Sequence, residues 1–202
     1  MRKFNGKSLL VATHNAGKLD EFRQIFAPLG ITVRSAAEYD LPEPEETGTT
    51  FIENARLKAH AAAQATGLPA LADDSGLEVA ALGGAPGVYT ADWAETPTGR
   101  DFVMAMEKTR SALIARNAPQ PWHARFCCTL LLAWPDGHEE IFNGYAEGQL
   151  VWPRRGQDGH GYDPMFQPVG ETRTFAEMTP DEKNARSHRG AAIKALVAGC
   201  FS

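Results

Sequence analysis

The chain has 202 residues, enough for one sizeable core, and its 43% hydrophobic and 22% charged residues are those of an ordinary globular protein. A formal net charge of -5 argues against a broad nucleic-acid-binding face but leaves room for a local basic pocket. No apolar run approaches a membrane span, and the basic start Met1 to Lys7 precedes too short an apolar run for a signal peptide. The three cysteines, with Cys127 and Cys128 adjacent, have neither disulfide-framework nor metal-ligand spacing and read as buried, reduced thiols in a cytoplasmic protein.

Ser8 to Thr13 is a continuous apolar strand of the kind buried on both faces of an α/β sheet. It runs into Thr13-His14-Asn15-Ala16-Gly17-Lys18, and then into a helix with Leu19, Phe22, Ile25, Phe26 and Leu29 on one face, ended by Gly30. A strand, a polar turn and a helix N-terminus in that order suit phosphate, because free N–H groups and the helix dipole point at an anion. Lys18 in the first turn is unfavourable toward the dipole unless it meets an anion, while Thr13 and Asn15 offer hydroxyl and amide donors. The loop is not a Walker A: Leu19 follows Lys18, and Ala12 stands where the earlier glycine belongs. A plain βα turn with a solvated lysine is the competing reading.

Ile31 to Arg34 reads as a second strand, followed by an acidic loop with Glu38, Asp40, Glu43, Glu45 and Glu46. Thr50-Phe51-Ile52-Glu53 is a capping box, predicting a helix to about Thr66 closed by Gly67. Glu46, just before that start, is placed to reach back toward a metal. Asn54 and Lys58 share a helix face, which serves a phosphate site or is simply the wet side of an amphipathic helix.

Ala70 to Leu77 brings an apolar run, then Asp73 and Asp74, then Ser75-Gly76, then a second alternating run. The pattern predicts a strand, a tight charged turn and another strand. Adjacent carboxylates repel, and burying either unpaired is costly; a hard cation such as Mg²⁺ would resolve this, and so would a solvated turn.

The glycine-dense loop Gly83 to Tyr89 has no helix right behind it and is no dinucleotide fingerprint. A helix is predicted from Asp101 to about Asn117. Two long strands, His123 to Trp134 and Glu139 to Leu150, are joined by an Asp136-Gly137 turn into an antiparallel arm. In the loop Trp152 to Pro164, His160 and Tyr162 offer flat rings and Asp163 an acceptor, the chemistry of a purine pocket. Thr179-Pro180-Asp181-Glu182 starts another helix, with Lys183 one turn in. Ser187-His188-Arg189-Gly190 interrupts it, with the glycine as the expected break. His188 and Arg189 there point into a cleft or lie exposed; the residues alone leave both open.

Taken as a series, these motifs resemble the inosine-triphosphate pyrophosphatase family, which hydrolyses deaminated purine nucleoside triphosphates. The matches are Thr13 to Lys18, Glu45-Glu46-Thr47-Gly48 with Phe51 to Ala55, Ala72 to Leu77, Leu82 to Gly87, Gly161 to Pro164 and Ser187 to Gly190, in the family's order from Val11 to Gly190. The resemblance implies an elongated, two-lobed α/β fold with a long central mixed sheet flanked by helices and the active site in the cleft between lobes. It implies one nucleoside-triphosphate pyrophosphatase domain over residues 1–202, with the arm at about 122–150, and a homodimer. It makes Asp74 the proton acceptor and, with Glu46, the Mg²⁺ ligand, supported by Asp73 and Lys18. Thr13, His14, Asn15, Ala16, Gly17 and Lys18 would grip the triphosphate, with Lys58 and Ser75 also touching the nucleotide. His160, Gly161, Tyr162, Asp163, Lys183, His188 and Arg189 would form the base pocket. The family often has Phe where this chain has His160, whose imidazole is a smaller ring that can still stack.

The expected reaction is Mg²⁺-dependent release of pyrophosphate from dITP, ITP or XTP, leaving the monophosphate, with no nucleic-acid or membrane partner. In-line attack by water needs positioning and charge neutralisation, not a covalent nucleophile. A non-catalytic nucleotide-binding module and a phospho- or nucleotidyltransferase are the rival readings; keeping Asp73, Asp74 and Glu46 together speaks against the first, and product analysis separates the second.

Overall fold

The computed structural model describes residues 1–201. In chain order it contains β1 (Ser8–Val11), α1 (Ala16–Phe26), β2 (Thr32–Ser35), α2 (Phe51–Thr66), β3 (Ala70–Val79), β4 (Pro86–Gly87), β5 (Glu95–Thr96) and β6 (Gly99–Arg100). There follow α3 (Phe102–Ala115), β7 (Trp122–Ala133), β8 (Glu139–Leu150), β9 (Phe166–Pro168), α4 (Pro180–Arg186) and α5 (His188–Leu196). The main sheet runs β2-β1-β3-β7-β8-β9 with β4 on β3, and β5-β6 is a separate ribbon. β1 is parallel to β2 and β3, whereas the β3–β4 and β8–β9 pairs are antiparallel. The fold is therefore α/β with a mixed sheet flanked by helices. Among the described residues no helix is long and apolar enough to cross a membrane.

The chain divides into two compact units: Met1–Asp74, Thr129–Asn143 and the stretch from Ala192 in one, Ser75–Cys128 and Gly144–Ala191 in the other. In the first, α2 packs an alanine face (Ala55, Ala59, Ala62, Ala63) against Leu10, Ala70, Ala72, Leu131 and Ala133. Small side chains at i, i+4, i+7 and i+8 allow the helix to sit close to the strands. Phe22 and Phe26 of α1 are fully buried, with the Phe26 ring 4.9 Å from Phe201. In the second unit a core of Leu77, Met106, Leu113, Phe126, Phe166 and Phe175 gathers around α3.

Local signals fix most boundaries. Thr50 and Glu53 form the expected capping box of α2, and Gly67 closes it at φ 69°. Thr179, Pro180 and Glu182 open α4 the same way. All three cysteines are free and buried, and burial pushes the Cys127 thiol up to about 12.

Three local expectations are corrected. Asp73-Asp74-Ser75-Gly76 is not a turn: β3 passes through it unbroken from Ala70 to Val79. Both acids are buried and matched by side chains, so the strand tolerates residues that elsewhere make turns. The first helix stops at Phe26; a 3₁₀ turn carrying Pro28 follows and Leu29 is exposed, because proline has no N–H to continue the ladder. The C-terminal break falls at Ser187, whose hydroxyl accepts the Gly190 N–H at 3.0 Å and so starts α5 at His188. Gly190 lies inside α5, where a Cβ would come 2.3 Å from the Asn184 carbonyl oxygen; it serves close approach, not a break.

In the first unit Arg56 of α2 grips Glu139 of β8 through Nε at 2.9 Å and Nη2 at 2.6 Å, and His60 Nε2 lies 2.8 Å from the same carboxylate. The Arg56 guanidinium first, and then His60, hold the Glu139 carboxyl down at about 2, against an ordinary 4.5. A lowered acid contributes stability that is full above 4.5 and is lost as pH falls toward 2. Glu139→Gln is expected to cost about 1–2 kcal/mol at pH 7 after allowance for solvent screening, and clearly less at pH 3, by urea unfolding at both values. An equal loss at the two pH values would refute this role of the ion pair.

Candidate active site

β1 leads to β2 through α1, and β2 returns through α2 to β3 on the other side of β1. With right-handed crossovers the two helices cover opposite faces, and the winding reverses at the carboxyl end of β1, beside which β3 runs on through Asp73 and Asp74. Such a switch point is where open α/β sheets take ligands. The side chains agree with this placement. Neighbours on a strand point to opposite faces, so Asp73 turns to Lys18 of α1 and Asp74 to Asn54 and Lys58 of α2.

The Thr13–Lys18 loop is held by its own polar groups. Thr13 Oγ1 accepts the Asn15 N–H at 3.1 Å, and Asn15 Oδ1 caps α1 by accepting the Lys18 N–H at 3.0 Å. His14, Asn15, Ala16 and Gly17 are exposed at the N-terminus of α1. Lys18 meets its anion inside the protein: Nζ lies 2.7 Å from Asp73 Oδ2.

Glu46, Lys58 and Asp74 form the second half of this group. Lys58 Nζ lies 2.6 Å from Glu46 Oε1 and 4.0 Å from Asp74 Oδ1. Asn54 Nδ2 donates to Asp74 Oδ2 at 3.1 Å, and Asn54 Oδ1 accepts the Gly48 N–H at 2.8 Å. Asn54 and Lys58 are 2% and 8% exposed, so they are not the wet side of an amphipathic helix. Burial pushes Asp74 up to about 6; Lys58 opposes the rise, Glu46 adds to it, and Asn54 opposes it. Burial works against the charge on Lys58, but Asp73, Asp74 and Glu46 outweigh it and leave its pKa raised. A pocket of about 250 Å³ opens beside this group, lined by Ala12, His14, Leu41, Pro44, Lys58 and Ala62.

The second unit holds the other expected residues. Ser75 follows Asp74 on β3 and is half-buried. The His160 side chain is exposed, and the His160 backbone N–H donates to Asp163 Oδ2 at 2.7 Å. Gly161 adopts φ 65°. Asp163 is buried and paired with Lys183, so it is already occupied rather than an open acceptor. Tyr162 is 1% exposed, with its ring edge-on to Phe102 at 6.0 Å, and burial pushes its hydroxyl up to about 12. It belongs to the core, not to an open stacking surface. The His188 ring stacks on Phe126 at 4.9 Å and 14°, and Arg189 beside it is half-buried.

Asn54 is the residue that sequence reasoning set aside. Its signal was its place at i, i+4 and i+8 with Lys58 and Ala62, beside the alanines that face the sheet.

The structure thus defines an α/β protein with two adjacent acids on a central strand, just beyond the carboxyl end of its parallel neighbour, each facing a lysine. The chain belongs to the Ham1 family, whose model matches residues 9–199. A protein of Ruegeria pomeroyi named dITP/XTP pyrophosphatase is 62% identical over 200 residues, spanning 99% of this chain and 98% of its own. One of Rhizobium meliloti with the same name is 56% identical over 212 residues, spanning 100% of this chain and 99% of its own. A solved HAM1 protein from Coxiella burnetii has a TM-score of 0.90 at 39% identity, over 96% of this chain and 98% of that one. The family read from the motif series is borne out.

Proposed function

We propose that this chain is a nucleoside-triphosphate pyrophosphatase that converts dITP, ITP and XTP to the monophosphate and pyrophosphate, clearing deaminated purines from the cytoplasmic nucleotide pool. The observation that carries this reading is Asp74: a buried carboxylate poised near 6, set by Asn54 and Lys58 at the sheet's switch point. That relatives at 62% and 56% identity are named dITP/XTP pyrophosphatase supports it. The protein acts as a homodimer in this reading, with no nucleic-acid or membrane partner.

The Thr13–Lys18 loop, with the N-terminus of α1, receives the triphosphate, and Lys18 and Lys58 offset its charge. Asp74 accepts a proton from water as the water oxygen attacks phosphorus and the bond to pyrophosphate breaks. In the metal-free chain burial raises the Asp74 pKa to about 6, and a cation held beside it would lower it, so the carboxylate is ionised and able to accept at neutral pH. Ser75 contacts the nucleotide beside it.

Glu46 and Asp74 are the residues that would hold Mg²⁺. Among the described residues no three His, Cys, Asp or Glu side chains form a ready cage. Mg²⁺ needs only one or two protein carboxylates with phosphate and water, and these two carboxylates already turn toward one positive charge, the Lys58 ammonium. Bound there, the ion would neutralise charge developing on the phosphates.

At the base end, Lys183, Arg189 and backbone N–H groups would donate to the purine 6-oxo group, with His160 and His188 supplying rings and Gly161 to Asp163 shaping the loop. Adenine presents a donor there, and leaving those donors unpaired is costly. The test is a panel of dITP, ITP, XTP, ATP and GTP with Mg²⁺ and with EDTA. The deaminated purines should exceed ATP by at least about 100-fold in kcat/KM, and EDTA should abolish turnover. Comparable use of ATP would defeat the selectivity, and undiminished turnover in EDTA the metal requirement.

A further inference from the structure

We propose that Asn54 is a positioning residue: its amide joins the Gly48 backbone to Asp74 and thereby sets the Asp74 carboxylate against the segment that carries Glu46. The inference rests on the pyrophosphatase reading above. A backbone N–H only donates and an ionised carboxylate only accepts, so the amide has one possible orientation: Oδ1 toward Gly48 at 2.8 Å and Nδ2 toward Asp74 Oδ2 at 3.1 Å. The torsion that turns an aspartate carboxyl is soft, and one buried donor at a fixed place decides which oxygen it holds. Here Oδ2 is taken by Asn54, and Oδ1 is the oxygen that faces Lys58 at 4.0 Å.

Asn54 sits in the first turns of α2, whose start is fixed by the Thr50–Glu53 box, so the amide has a rigid base. At 2% exposure it has no water to fall back on. Gly48 completes the device. A Cβ there would lie 2.5 Å from Asn54 Oδ1, so only glycine lets the backbone of this segment seat on the amide. Glu46 is two residues before Gly48, and the same helix face supplies the Lys58 ammonium 2.6 Å from it. One amide therefore ties both carboxylates to one helix.

The experiment compares the parent, Asn54→Leu and Asn54→Ala by steady-state kinetics on dITP, and by calorimetric binding of a non-hydrolysable inosine triphosphate analogue. Asn54→Leu keeps the shape of the side chain and removes the donor to Asp74 and the acceptor for the Gly48 N–H without adding a charge. Its kcat is expected to fall about 10–100-fold, with KM and analogue affinity within about threefold of the parent. If Asn54→Leu fails to fold by circular dichroism, Asn54→Ala, which makes the same deletion with a smaller side chain, decides. Parental kcat in the folded variants, or a change confined to KM, would overturn the positioning role. A parent that releases no pyrophosphate would instead overturn the functional reading beneath it.

Discussion

Asp74→Asn is expected to give a folded protein that turns over dITP about 10²–10⁴-fold more slowly than the parent, the contribution of a positioned general base. The same substitution should stabilise the metal-free protein at pH 8. Burial, the larger cause, lifts the Asp74 pKa from 3.8 to about 6 in the folded state. The folded chain therefore holds this proton more tightly than the unfolded one, and stability falls as pH rises between those two values. Above about pH 6 the penalty is complete, on the order of 3 kcal/mol by the usual conversion of a pKa difference. Asparagine carries no charge and avoids it. Urea unfolding in EDTA should show the variant more stable at pH 8 and the gap closing toward pH 4. Parental turnover would remove Asp74 from the chemistry; lower stability at pH 8 would mean that its charge is fully compensated by its neighbours. A site that costs stability in exchange for reactivity is the expected signature of a catalytic group.

Lys58→Met should be nearly as damaging, for a different reason. Lys58 is 8% exposed and is the cation that Glu46 and Asp74 share. Methionine keeps the apolar stem and deletes the charge, leaving Asp74 buried beside Asp73 and Glu46 with nothing positive on the α2 face. Removing one partner of a buried pair costs about 3 kcal/mol or more when the other must stay charged. Asp74 escapes by taking up a proton, because losing Lys58 raises its pKa further above 6. The destabilisation should therefore be large at pH 8 and small at pH 5. The kcat/KM for dITP at pH 7 should fall about 100-fold, since a phosphate contact is gone and Asp74 has lost the cation it faces. A pH-independent stability loss would show that Lys58 acts by packing alone.

Much of the framework was legible because it is written in local chemistry. Thr50 with Glu53, Thr179 with Glu182, Gly67, and the Asp136-Gly137 turn each set a boundary through hydrogen bonds among near neighbours. The misread places are those where a distant partner overrides a local preference. Asp73 and Asp74 look like turn residues until Lys18, 55 positions away, and Asn54, 20 positions away, receive them inside a strand. Gly190 looks like a helix breaker, but it is small because the Asn184 carbonyl is close. Tyr162 looks like a stacking ring, and Phe102 holds it in the core. Asn54 and Lys58 look like solvated polar residues, although their spacing put them beside the buried alanine stripe of α2. The candidate site lies where such long-range matches gather, which is why family resemblance located it more readily than periodicity did.

Phosphorus NMR of the products formed from dITP by the parent chain with Mg²⁺ shows directly which phosphoanhydride bond breaks. One equivalent of pyrophosphate and one of dIMP are expected, with no orthophosphate or dIDP at early times. Orthophosphate with dIDP would contradict the pyrophosphatase reading, because the bond broken would then be the terminal one and the assignment of Asp74 and the Thr13–Lys18 loop would have to be withdrawn.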